Sequence, residues 1–199
     1  ADPVVSLLRD GKPVAAAAMT AAIAALDRAI AADPVAGLHL RRSELLVAAA
    51  LAPNVDMPVD QRVALLRRAE ADLDAGLGGA PARGVAWARL ASVRQGLEGT
   101  SRRVVDALMM SIETAPLITV LWPPRLQLIL DNWVAFTAEE RQSLATYVTR
   151  TWRIDRDKRW YAQVIRSPVD ELLVRYLLRD EPKAQEELTQ ILVRAGKKK

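Results

Sequence analysis

Residues 81–116 read PARGVAWARLASVRQGLEGTSRRVVDALMMSIETAP, and this stretch decides the fold. It predicts two helices back to back, closed by Pro116. Trp87, Leu90 and Ala91 stand at the spacing W-x2-L-A. Val104, Leu108, Ser111 and Pro116 follow at small-x3-large-x2-small-x4-Pro. In an antiparallel helical hairpin a large residue needs a small one opposite it, so that the helix axes approach to ~8–10 Å. The closing proline lacks an N–H and clashes with the preceding turn, so it ends the helix.

The second half of this pattern occurs twice more, at Ala22, Leu26, Ala29 and Pro34 and at Ala69, Leu73, Gly76 and Pro81. Pro81 and Pro116 lie 35 residues apart, whereas Pro34 and Pro81 lie 47 apart, which places an insertion in the Pro53–Pro58 loop.

Composition agrees with helix throughout. Hydrophobic residues make up 51% of the 199, yet five Trp, three Tyr and one Phe are the only aromatics, and Ala dominates the first half. Ala and Leu at that density favour helix, and no alternating run of strand length is present. The net charge is +4, of which Lys197, Lys198 and Lys199 supply three, so the body is nearly neutral and no nucleic-acid binder is expected. Without Cys there is neither a disulfide nor a thiolate site. The apolar run 13–26 is too short to span a bilayer. The chain begins with Ala1 rather than Met, which predicts a removed signal or anchor upstream as the only membrane attachment.

Taken in order, residues 1–12 are expected as a lead-in, 13–195 as a single helical domain and 196–199 as a basic tail. Gly11-Lys12-Pro13 should break the chain before the first long helix, whose stripe is Met19, Ile23, Leu26 and Ile30. A helix over 35–51 should turn Leu38, Leu45, Leu46 and Ala49 inward. The next, over 60–75, should pack Val63, Leu66, Ala69 and Leu73 and stop at Gly76, Gly78 and Gly79. Beyond the central stretch, Trp122-Pro123-Pro124 should start a helix with Leu126, Ile129, Leu130 and Trp133 on one face. Thr137 and Glu140 form a capping box before Leu144, Tyr147, Val148, Thr151 and Trp152. Ser167-Pro168 opens a helix with the stripe Val169, Leu172, Leu173, Tyr176 and Leu177. Glu181-Pro182 opens the last, with Leu188, Ile191 and Leu192 facing in.

Few residues can carry chemistry. His39 is the only histidine, and no G-x-S-x-G elbow exists to partner it, so it reads as a half-buried structural residue. One His and no Cys cannot make an ordinary zinc site. Close carboxylate pairs fall in first turns of predicted helices, where the helix dipole favours them. No phosphate loop is present, and no cofactor is expected. The basic–aromatic segment 150–166 leaves two readings open. Arg150, Arg153, Arg156 and Arg159 with Trp160 can hold a phosphate or an acidic sugar, because guanidinium groups fork onto anions and stack on rings. Alternatively the segment joins two helical hairpins and its aromatics are core, as their helical spacing favours.

The hairpin residues Trp87, Leu90, Ala91, Leu108 and Pro116 resemble the tetratricopeptide repeat, whose period is ~34 residues. The resemblance covers about residues 15–135 in degenerate form. Arg94 stands where that family has Tyr, and one extra residue lies between Leu97 and Val104. The resemblance implies an all-α, TPR-like α-solenoid of antiparallel helical hairpins, about nine or ten helices in all. The run from AWARLA through ALMMSIETAP to PRLQLIL also looks like helical-repeat proteins encoded with bacterial exopolysaccharide synthesis and export systems. That second likeness implies a periplasmic or extracytoplasmic, inner-membrane-anchored protein. The expectation is thus a non-enzymatic scaffold that binds a segment of another protein, a membrane or envelope component, with acidic polysaccharide as a further ligand. The alternative is an accessory sugar-binding protein or enzyme of a polysaccharide system using segment 150–166.

Overall fold

The structure is a computed structural model that describes residues 2–10, 12–52 and 57–196. Gly11 of the expected break, most of the Pro53–Pro58 insertion and Lys197–Lys199 of the tail lie outside the described residues. Among those described, eleven α-helices and no strand are present, against nine or ten helices expected. The chain separates into two compact units, Ala1–Gly99 and Thr100–Lys199.

The first unit holds α1 (Asp2–Arg9), α2 (Ala16–Ala32), α3 (Ala36–Ala50), α4 (Val59–Gly79) and α5 (Gly84–Glu98). The lead-in is thus largely helical, and its Val5 joins Met19, Ala22, Leu26 and Leu45 in one core cluster. Met19 and Leu26 are buried as their stripe predicts, with Ala22 between them and Ile23 and Ile30 half-buried. Asp33, extended ahead of Pro34, ends α2, since a residue before proline is pushed out of the helical region.

α4 departs from expectation. It runs through Gly76, Gly78 and Gly79 and ends only at Ala80, next to Pro81. The reason is packing. A Cβ on Gly76 would stand 2.5 Å from Leu40 Cδ2 and 3.2 Å from the Ala36 carbonyl, and one on Gly79 2.9 Å from Ala36 Cβ. Two glycines one turn apart let α4 press onto α3, and that contact outweighs their poor helix propensity. The two helices run antiparallel, because Ala36 meets Gly79, His39 meets Asp72, and Arg62 donates to the Ala50 carbonyl. α4 and α5 are antiparallel as well: Leu66 approaches Gly96 and Glu70 takes a bond from Arg94. Leu90 is fully buried, while Trp87 is only half-buried, its indole N–H donating to the Pro81 carbonyl at 2.8 Å. Gly99, at φ 71°, caps α5 in the left-handed region.

The second unit opens with α6 (Arg102–Thr114), capped by Ser101. A 3-10 turn leads into α7 (Trp122–Asp131), and a second turn, Trp133–Ala135, precedes α8 (Ala138–Ile154). A third turn, Lys158–Trp160, enters the short α9 (Tyr161–Val164), followed by α10 (Pro168–Leu177) and α11 (Pro182–Arg194). Capping boxes form at Thr137/Glu140 and at Ser167/Asp170, the latter with Pro168 in the first turn. All five expected positions of α8 are buried, as are Leu126, Ile129 and Leu130 of α7. α10 is the exception. Val174, Leu177 and Leu178 face its core, while Val169, Leu172 and Tyr176 lie exposed. Leu177 is thus buried as its stripe predicts and Leu173 half-buried, but the sequence carries apolar residues around most of the helix, so periodicity alone does not settle which arc is covered.

Candidate functional site

The candidate arginines do not form one site. α8 ends at Ile154, and the chain turns there. Arg150 and Arg153 line a cleft of about 460 Å³ with Gln142, Thr146, Asp180 and Glu181. Arg153 is ion-paired with Glu181. Arg156 and Arg159 instead line a separate shallow basin of about 420 Å³ with Lys158, Ile191 and Arg194. Arg159 forks onto Asp157 at 2.7 and 2.6 Å, which holds that carboxyl at about 2. Lys158 lies 3.4 Å from Glu187 and 5.3 Å from the Trp152 ring centre.

The aromatics of the segment make the joint itself. Trp160 stacks on Tyr161 at 3.9 Å, and Tyr161 meets Trp152 edge-on at 4.7 Å. The Trp160 indole N–H donates to Asp155 at 2.6 Å, which ties the half-buried ring to the end of α8. Tyr161 is buried, and desolvation pushes its phenol well above its ordinary value. The rings therefore have a packing role, and the cations of the segment line two separate hollows.

One buried cation was missed from the sequence. Arg125 of α7 is 0% exposed, and its hydrogen bonds all end on uncharged oxygens. It donates to the Ser111 carbonyl at 2.6 Å, the Ser111 hydroxyl at 2.8 and 3.2 Å, the Ala115 carbonyl at 2.9 Å and the Tyr147 hydroxyl at 3.4 Å. Those carbonyls close α6, the negative end of its dipole. Burial raises the Tyr147 phenol, an effect that Arg125 opposes. The available signal was its position, next to Leu126 and four residues before Ile129 on the inward arc of α7.

In the first unit His39 Nδ1 lies 2.9 Å from the buried carboxylate of Asp72. Arg42 binds that carboxylate twice, at 2.7 and 2.6 Å, and reaches Asp27 at 2.9 Å; Arg68 also pairs with Asp27. The Asp72 hydrogen bonds raise the Arg42 guanidinium above its ordinary value. Ser43, four residues along α3 from His39, donates its hydroxyl to the Leu40 carbonyl at 2.7 Å. This network ties α2, α3 and α4 together. Beside it, Met19, Ile23 and Leu65 line an apolar hollow of about 420 Å³ that also borders Met57, at the end of the insertion.

Among the described residues no group of three or more His, Asp or Glu is placed to hold a metal ion, and no helix is long and apolar enough to cross a membrane. No family model, curated protein or solved structure gives a significant match to this chain.

Proposed function

We propose that this protein is a non-enzymatic scaffold, a TPR-like α-solenoid of antiparallel hairpins that holds a segment of another protein. One observation carries the repeat reading. The Trp87 indole donates to the Pro81 carbonyl at 2.8 Å, and 35 residues on the Trp122 indole donates to the Pro116 carbonyl at 3.1 Å. The same proline-to-tryptophan clasp thus opens a helix at the spacing of a repeat. The antiparallel packing of α3, α4 and α5 and the buried Ala69, Leu73, Val104 and Leu108 support it further. Stacked hairpins leave grooves that take partner segments. Its place in a bacterial envelope polysaccharide complex, outside the cytoplasm, rests on likeness of sequence texture alone.

A second reading draws on the basin lined by Arg156, Lys158, Arg159 and Arg194 together with Asp157, with Glu187 3.4 Å from Lys158. It makes the protein an accessory that binds acidic polysaccharide. Titration of acidic oligosaccharides at two salt concentrations, with and without Arg→Gln changes at 153, 156 and 159, separates the two. Salt-sensitive binding abolished by those changes favours the sugar reading.

The scaffold reading is tested by recovering the full chain from its native host under mild chemical cross-linking. A single protein partner in near-equal amount is expected, and His39→Gln should leave it in place. Turnover of an oligosaccharide by the purified chain, lost in a well-folded His39→Gln variant, would refute it.

A further inference from the structure

Three of the five α10 residues expected to face inward, Val169, Leu172 and Tyr176, are left in solvent by the fold, while Leu177 is buried and Leu173 half-buried. Val169, Leu172 and Tyr176 recur at 0-3-7 and so share one side of the helix. They are 63%, 66% and 44% exposed. The Tyr176 ring meets Trp133 edge-on at 5.6 Å, which carries this face onto the turn after α7.

Two guanidinium groups stand over these rings. Arg179 lies 4.4 Å from the Tyr176 ring centre and Arg141 5.1 Å from that of Trp133. Among the described residues neither has a carboxylate nearer than 4.0 Å. Arg141 donates to the Trp133 carbonyl at 3.0 Å, and its Nε is buried without a partner. Arg179 donates to the Tyr176 carbonyl at 3.0 Å and to Gln142, with the exposed Asp180 no nearer than 4.0 Å. Nearby acids are engaged elsewhere: Asp131 with Arg166, Glu171 with Arg175, and Asp170 in its capping box.

Trp, Tyr and Arg around exposed aliphatics is the composition of an interface hot spot. Guanidinium groups at its rim with no described carboxylate nearer than 4.0 Å select a partner that brings one closer. We propose that this face docks an acidic amphipathic helix of another protein. Its apolar side chains lie on Val169, Leu172 and Tyr176, and its carboxylates meet Arg141 and Arg179. The proposal rests on the scaffold reading and names the chemistry of the partner.

The test titrates the full chain with two synthetic helices that share Leu at i, i+3 and i+7, one flanked by Glu and one by Lys, read by fluorescence anisotropy. The Glu helix should bind and the Lys helix should not. Leu172→Glu or Arg179→Gln should weaken binding about tenfold, and added salt should weaken it too. Both sites are at the surface, and an unchanged circular dichroism spectrum confirms that the variants fold. Equal binding of both helices, no binding, or indifference to Leu172→Glu overturns the proposal. So does self-association of the chain that Leu172→Glu abolishes in sedimentation, which assigns the face to a second copy. If neither helix binds while a protein partner is still recovered from the host, this face is wrong and the scaffold reading stands. If no protein partner is recovered, both fall.

Discussion

Arg125 and Arg150 show how little a residue's type says about its role. Both sit on helices of the second unit, yet one is sealed against the end of α6 and the other faces an open cleft. Replacing Arg125 by Met keeps much of the volume but strips the guanidinium from the buried Ser111 carbonyl and hydroxyl and from the half-buried Ala115 carbonyl. The Ser111 carbonyl keeps its bond from the Ala115 N–H, but hydrogen bonds from a charged donor contribute ~1.5–3 kcal/mol each, so Arg125→Met should lower stability by about 2–4 kcal/mol in urea unfolding. Arg150→Met should change it by no more than about 0.5 kcal/mol. Glu140 gives a prediction in pH. Arg102 donates to it at 2.8 Å and holds it down from 4.5 to about 2. A carboxylate depressed in the folded state stabilises fully above its ordinary value, and that contribution is lost as the pH falls from about 4.5 through 2. The stability gap between the native chain and Glu140→Gln should therefore narrow on acidification through that window. It should be small and shrink in salt, since Arg102 is half-exposed. A gap that stays constant with pH would contradict the assignment.

α4 carries the sharpest test among the elements, because its glycines differ only in what they face. An added Cβ at Gly78 meets nothing within 4 Å, whereas at Gly76 it meets Leu40 and the Ala36 carbonyl. Gly78→Ala should stabilise by ~0.5–1 kcal/mol through helix propensity. Gly76→Ala should destabilise by about 1–2 kcal/mol, since overpacking outweighs the same gain. Thermal melts of the two variants should move in opposite directions. The pattern small-x3-large-x2-small-x4-Pro located Ala69, Leu73 and Gly76 correctly at the packed face, but the glycines read as a stop because their effect depends on a helix 36 residues earlier. The α10 stripe is buried only at Leu177 and in part at Leu173 for a related reason: with apolar residues on two arcs, only the neighbours decide which is buried. The caps at Thr137 and Ser167 were legible because a cap is local chemistry.

At the scale of the whole molecule, periodicity and proline punctuation were enough for an all-helical chain. They did not mark the division at Gly99, where α5 and α6, the two helices of the 81–116 stretch, fall in different units. The candidate site was legible as composition only. Segment 150–166 does bring cations and rings together in sequence, but the turn after Ile154 sends its arginines into two hollows and keeps its rings as a joint. The exposed face of α10 and its two arginines required the fold, since Trp133 and Tyr176 meet across 43 residues.

The claim that this chain works by holding another protein is tested most directly by a photoreactive phenylalanine analogue placed at Leu172 in the native host. A second variant carries it at the exposed Val59 of the first unit. Illumination should give one discrete adduct from position 172, containing a single protein other than the chain itself, and little from position 59. No protein adduct from either position, or an adduct made only of two copies of this chain, would contradict the account.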